Sequence, residues 1–436
     1  MIVLRNALRR PSAWLPPLRA ALVSKLGGNI ISLYATQGLN YLLPLALAPY
    51  LLRVLGPRGY GGIAFAQSLM AYAVVLTDFG FAFSATRAVA LARDDPNRLA
   101  RIFWTTLAAK GVLLLVASTI ILAAVLLFPT LREHAAVIGV CGMAVVGAVL
   151  LPQWYFQGLE RMRAMAWIQA WSKLLILAPA FVLVRSEADE LLAAAVLSVP
   201  ALLGGLSCLL SVRYLAPIRF YRPSWSDITG ALTGGRDFFV SNVATSSYVT
   251  SNAFIVGLIS GDRAVALYSL ANKAALAAFG CLSPVVQASF PRASLLFGRS
   301  LEDARSFVRR ISVPLVVLAA LISIVLLLFA GPIVRLLAGP QYGGAVPVLR
   351  ILALLPLALT AGTLLAQIVM INLGLTRSLS RIYVSMGLLN LVMLPLLASR
   401  LGASGGAISL LSVETLGPVL MAGVIRRAWF PQVNPA

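Results

Sequence analysis

Acidic residues are scarce in this chain. Asp and Glu number 14 against 35 Lys and Arg, and charged residues make up only 11% of 436 positions, while 60% are hydrophobic. Soluble domains carry about a quarter charged residues, so a chain this poor in charge cannot cover itself with a water-facing surface. Cysteine is nearly absent: Cys141, Cys208 and Cys281 lie far apart in apolar stretches and read as small buried hydrophobes, not as a disulfide or metal site. No Gly-x-x-x-x-Gly-Lys-Ser/Thr loop is present, which excludes ATP-driven work by the chain itself. No external loop is long enough for a catalytic domain, which argues against a membrane glycosyltransferase or polymerase, and no catalytic residues or cofactor are expected. The net charge of +21 has no interleaved aromatics and no nucleic-acid module around it; an anionic membrane surface accounts for it better. The segment Met1 to Gly28 lacks an uninterrupted apolar core followed by a small-residue cleavage site, so it reads as a cytoplasmic tail or interfacial segment.

What the chain has instead is a succession of apolar runs. A membrane helix needs about 20 mostly apolar residues. Twelve such stretches fit, at 28–52, 59–80, 103–128, 135–157, 165–184, 191–212, 237–258, 264–288, 311–337, 346–372, 380–398 and 403–425. Basic residues fall between them in alternation. Twenty-five lie in every second connection or in the tails, among them Arg93, Arg98, Arg101, Arg219 and Arg222. Eight lie in the intervening turns, such as Arg58, Arg132 and Arg185. By the positive-inside rule the dense set is cytoplasmic, and so are both termini.

The longest connection, around Val212 to Gly235, falls mid-chain and contains Pro217 and Pro223. It suggests a linker, 213–235, between two six-helix lobes, 28–212 and 236–426, with tails at 1–27 and 427–436. A faint repeat supports two halves: Gly56-Pro57-Arg58-Gly59-Tyr60-Gly61 resembles Gly261-Asp262-Arg263-Ala264-Val265-Ala266. Parallel repeats of this kind are related by an axis along the membrane normal, and their interface is where an alternating-access transporter holds substrate.

Ionisable groups inside a bilayer are costly and usually face an interior or a watery cavity. Asp78, Arg87, Lys110, Lys173, Lys273 and Glu414 are such groups here. Lys273, well inside its helix, is the strongest cationic candidate; Arg87, Lys110 and Lys173 also fit snorkelling to an interface. Asp78 and Arg87 are close enough in sequence to form an ion pair, a proton-linked switch, or neither. Helix seven is unusually polar. Ser241, Thr245, Tyr248 and Asn252 share one face of it, and Gln37 and Asn40 mark helix one in the same way. That face fits a cavity lining, with packing by small and hydroxyl residues as the alternative. With Arg53, Arg87, Asn272 and Lys273 these residues make the expected substrate-binding set; Asp78 and Glu414 are the candidates for ion coupling, and no metal site is expected. His134, beside Arg132 and Glu133, reads as a solvated turn residue.

Asn40-Tyr41-Leu42-Leu43-Pro44-Leu45, then Pro49-Tyr50-Leu51-Leu52-Arg53-Val54-Leu55-Gly56-Pro57-Arg58-Gly59-Tyr60-Gly61, then Thr77-Asp78-Phe79-Gly80-Phe81 carry a resemblance. The chain resembles the polysaccharide biosynthesis, Wzx-type O-antigen flippases of the multidrug/oligosaccharidyl-lipid/polysaccharide (MOP) exporter superfamily. The resemblance implies an all-α integral membrane protein with twelve transmembrane helices in two lobes, in the bacterial inner membrane. It implies movement of undecaprenyl-diphosphate-linked oligosaccharide from the cytoplasmic to the periplasmic leaflet, sometimes with proton or cation exchange, and glycan polymerase and assembly proteins as partners. A diphosphate asks for positive charge and a glycan for amides and hydroxyls, which the expected set supplies. A drug or organic-cation antiporter of the same architecture, or a membrane scaffold for glycan assembly, are the alternatives.

Overall fold

The computed structural model describes the backbone of residues 25–215 and 217–429, and their side chains apart from those of 25–46, 162–164, 166, 237, 238, 240–250, 428 and 429. All regular structure among them is helical. The first half comprises α1 (Lys25–Asp78), α2 (Phe81–Leu91), α3 (Pro96–Leu127), α4 (Ala135–Leu150), α5 (Gln153–Gly158), α6 (Met162–Leu174), α7 (Leu177–Leu183) and α8 (Glu190–Leu215). The second comprises α9 (Trp225–Gly280), α10 (Ser283–Phe297), α11 (Leu301–Leu328), α12 (Ala330–Ala338), α13 (Ala345–Leu352), α14 (Leu355–Thr363), α15 (Thr376–Leu401) and α16 (Ala403–Trp429). Nine helices among the described residues are long and apolar enough to cross a membrane, and the protein is a multi-pass membrane protein.

Nine differs from the twelve expected stretches for local reasons. The first two stretches form one helical run, α1, bent at Gly56, and the seventh and most of the eighth form another, α9, bent at Gly261. The fifth is interrupted between α6 and α7. Gly56 has φ 66°, ψ 177° and Gly261 has φ 78°, ψ 176°. That combination is open essentially to glycine alone, because a Cβ would clash with the backbone. The two bends therefore share one backbone geometry at matching positions of the faint sequence repeat.

Helix starts on the dense-arginine side are capped by short polar side chains. Asp95 accepts from the amides of Asn97 and Arg98 ahead of α3, and Ser224 and Asp227 close a reciprocal capping box on α9. Each cap satisfies backbone donors that lipid could not.

The expected turns separate cleanly to two ends. Gly56, His134, Glu190, Asp262 and Gln341, from five alternate turns, meet at one end, which we call the kink end. The turns between them meet at the other: Arg93 pairs with Glu160 at 2.8 Å, Arg101 with Asp227 at 2.6 Å, and Arg161 bonds the Leu215 carbonyl.

Apolar packing follows the same division. One core cluster spans both halves at the kink end, running from Leu51, Leu55 and Phe65 of α1 to Val256 and Tyr268 of α9, Tyr342 and Leu349. Towards the other end the cores are separate. Phe81, Phe103, Trp154, Tyr155 and Phe156 fill the first half together with Ile228 at the start of α9, while Met386, Val413, Leu282 and Leu315 belong to two clusters of the second. Lipid is as apolar as leucine, so helices here gain most from close backbone approach. Gly147 on α4 and Gly205 on α8 show it: a Cβ on Gly205 would lie 2.1 Å from the Gly147 carbonyl oxygen.

Candidate functional site

The kink end is where the two halves hold one another. Gly61, one turn beyond the Gly56 bend, lies against the chain at the Gly261 bend so closely that a Cβ on it would be 2.0 Å from the Asp262 carbonyl oxygen. Beneath this contact Phe65 of α1 stacks on Phe254 of α9, centroids 5.3 Å apart, and the Tyr72 hydroxyl meets Ser251 Oγ at 2.8 Å. Around the rim, Arg53 Nη2 donates to the Leu336 carbonyl at 2.5 Å, and Gln341 Nε2 to the carbonyls of Leu52 and Arg53 at 3.4 Å.

His134 completes the closure, contrary to its expected place as a solvated turn residue. Its side chain is only 11% exposed. Nε2 lies 3.0 Å from Asp262 Oδ1 across the boundary between halves, and Nδ1 lies 3.0 Å from the Thr130 carbonyl. Both ring nitrogens face acceptors, which only an imidazolium can satisfy. The Asp262 carboxylate is the largest cause of a pKa pushed up to about 9; burial opposes it, and the Thr130 carbonyl and Glu190 carboxylate add to it. Glu190 reaches the same place: its Oε1 would be 2.4 Å from a Cβ on Gly62. The missed signal was topological, since alternate turns share one end and His134 and Asp262 sit in two of them.

Lys273, the strongest expected cationic site residue, also spans the halves. Its Nζ donates to the Tyr60 hydroxyl at 2.5 Å and lies 5.0 Å from that ring's centre, against Leu52, Leu270 and Leu337. Lys273 and Arg53 thus sit in the closed kink end, not in an open cavity. Arg87 is exposed on α2, beyond the backbone break at Phe79 and Gly80 (φ 45° and 75°). That break separates it from Asp78, whose partner is instead Lys110 on α3 at 3.9 Å. Lys110 does not snorkel: its side chain is 5% exposed and Nζ donates to the Ala148 carbonyl at 3.2 Å. Of the cysteines, Cys141 and Cys208 are buried as expected and Cys281 is exposed.

In the second half Asn252 is fully buried, not on a wet face. Asn390 Nδ2 donates to Asn252 Oδ1 at 3.1 Å and Ser409 Oγ donates to Asn390 Oδ1 at 2.8 Å, tying α9, α15 and α16 together. Glu414, 8% exposed, lies on α16 and makes no ion pair among the described residues. Asn272, half-buried, has an Oδ1 that is buried without a partner. Gln37, Asn40, Ser241, Thr245 and Tyr248 lie outside the residues whose side chains are described. Replacing Asn390 with Leu would strand Asn252 and Ser409. Thermal unfolding in detergent should register a loss of about 1–3 kcal/mol for each stranded group, and an unshifted melting temperature would contradict the network.

A cavity of about 510 Å³ opens at the end opposite the kinks, between α2, α3 and the start of α9, lined by Arg98, Arg101, Thr105 and Asp227 among others.

This arrangement of helices defines the class. The chain has the fold of MOP superfamily transporters: an inward-facing multidrug resistance transporter of the MATE family superposes with a TM-score of 0.73 at 14% identity, covering 92% of this chain and 96% of that one. The lipid II flippase MurJ, in an inward closed conformation, gives 0.71 at 13% identity over 91% and 87%. The chain belongs to the polysaccharide biosynthesis protein family, whose sequence profile matches residues 26–297. It is 32% identical over 398 residues to a protein of Escherichia coli K12 named "Putative O-antigen transporter", covering 91% of this chain and 96% of that protein.

Proposed function

We propose that this protein is a flippase, with no enzymatic step of its own, that moves undecaprenyl-diphosphate-linked oligosaccharide across the bacterial inner membrane from the cytoplasmic to the periplasmic leaflet. The observation that carries the reading is the similarity along nine-tenths of the chain to a relative named as an O-antigen transporter. The fold supports it, since a lipid-linked substrate is also what the similar lipid II flippase is named for.

In this reading both bends are turns at the membrane surface, which gives twelve spans in two lobes, 28–212 and 236–426, joined by the linker 213–235. Charge asymmetry sets the kink end outside and the termini in the cytoplasm. The kink end is then a closed periplasmic gate, and the separate cores towards the other end leave the lobes free to part on the cytoplasmic side. Transport follows by alternating access, with the glycan and diphosphate passing between the lobes and the polyprenyl tail remaining in lipid. Lys273 and Arg53 take part by opening with the gate; Gln37, Asn40, Ser241, Thr245 and Tyr248 remain candidates for the glycan path. Glu414 is a better ion-coupling candidate than Asp78, whose charge Lys110 already balances at 3.9 Å. That balance leaves few intramembrane carboxylates for an organic cation, which disfavours drug antiport.

Purified protein in proteoliposomes tests this directly. Undecaprenyl-diphosphate-linked oligosaccharide placed in one leaflet should become accessible to a glycosidase on the other side at a rate well above protein-free vesicles. Transport of an organic cation with no movement of the glycan lipid would overturn the assignment.

A further inference from the structure

We propose that the cavity between α2, α3 and the start of α9 is a binding site for the phosphate group of an anionic membrane lipid. The cavity, about 510 Å³, is lined by two kinds of side chain. They are apolar side chains, among them Phe81, Ala85 and Ile102, and polar or charged ones, among them Arg98, Arg101 and Thr105. A lipid headgroup joined to its glycerol and first methylenes presents the same pair of chemistries.

The charges are arranged for a monoanion. Asp227 is held as a carboxylate by five donors: the Ser224 amide and hydroxyl at 2.9 and 2.8 Å, the Tyr221 hydroxyl at 2.8 Å, and Arg101 through Nε at 3.1 Å and Nη2 at 2.6 Å. Those bonds, the Ser224 amide first, hold its pKa well below the usual carboxylate range. Asp227 so fixes Arg101 and cancels its charge. Arg98, three residues earlier on the same helix, makes no side-chain hydrogen bond or ion pair among the described residues. One positive charge is left over in the cavity wall.

A second observation points inward. Thr105 is 7% exposed, and its Oγ1 is buried with no hydrogen-bond partner. A helical threonine normally bonds a carbonyl one turn back, and a buried hydroxyl left unmade is costly, so turning the Thr105 side chain towards a ligand oxygen in the cavity it lines gains the missing bond. The depth is right as well. Trp225, next to the lining residue Ser226, and Phe220, whose ring meets Trp104, are 65% and 75% exposed, and Trp104 donates its Nε1 to the Arg219 carbonyl at 3.0 Å. Exposed aromatics of this kind mark the headgroup level of a membrane, where lipid phosphates lie.

Native mass spectrometry on protein released from phosphatidylcholine nanodiscs containing phosphatidylglycerol tests the site. Wild-type protein should retain one phosphatidylglycerol in preference to phosphatidylcholine. Arg98→Gln and Thr105→Val should each weaken retention about tenfold, the worth of one charge-assisted or buried hydrogen bond. Thr105→Ser, which restores the hydroxyl, should recover it, and Arg309→Gln, exposed on α11, should leave it unchanged. Undecaprenyl diphosphate added as competitor separates two sources of the phosphate: displacement assigns the site to a polyprenyl lipid, and persistence assigns it to bulk phospholipid. Equal retention by wild type, Arg98→Gln and Thr105→Val, or no preference over phosphatidylcholine, would overturn the proposal.

Discussion

Gly61→Ala should abolish glycan-lipid transport, while Gly111→Ala should be harmless. The added methyl group is the same, and the surroundings decide. At Gly61 it would lie 2.0 Å from the Asp262 carbonyl oxygen, where neither partner can yield because both are backbone beside a bend. At Gly111 nothing lies within 4 Å, and alanine favours the helix by about 1 kcal/mol. With that methyl group the halves cannot close at the kink end, and in the proposed alternating-access reading the cycle is lost with the closed gate. Complementation of a flippase-deficient strain at matched protein levels is the assay. Near wild-type glycan display by Gly61→Ala would show that closure at this contact is dispensable.

Alkaline pH should loosen the same gate through His134. The sign follows from the raised pKa. A histidine whose pKa is 6.5 when solvated and about 9 when paired with Asp262 favours the closed form fully below about pH 6.5, and that contribution is lost as pH rises through 9. The groups facing it are Asp262 from the second half, Glu190 from α8 and the Thr130 carbonyl, with Arg58 beside Glu190. All except Arg58 favour the cation. The whole span is worth at most about 3 kcal/mol, and salt will reduce it. Reactivity of an engineered cysteine beneath the gate, at Phe65, should therefore climb between pH 7 and pH 10 after correction for thiol ionisation. His134→Asn should be reactive throughout and nearly flat. The same pH slope in both proteins would assign the titration elsewhere.

These outcomes rest on features that differ in how readable they were. The repeat around Gly56 and Gly261 was visible as a faint string match, and it is the most specific geometry in the fold, because positive φ with extended ψ restricts the residue type itself. The alternate turns were visible through their arginines. The pairing of Asp78 was not. Nearness in sequence suggested Arg87, but the break at Phe79 and Gly80 turns the chain away and Lys110 arrives from the next helix. Asn252 likewise lay on a polar face that fitted a cavity lining, with packing as the alternative, and Asn390, far along the chain, decides for packing at that position.

The sequence by itself determined that the protein is dissolved in lipid, that its chain runs back and forth between two surfaces, and that a faint repeat marks Gly56 and Gly261. Each of these is set locally, by hydropathy over the length of one helix, by basic residues next to a helix end, or by a glycine that a bend requires. The tertiary structure alone decided which end is sealed, that His134 and Asp262 close it, and that Lys273 meets Tyr60 there. Those contacts join residues more than a hundred positions apart whose types are common in any turn or helix, so only the packing of one half on the other gives them partners, burial and charge.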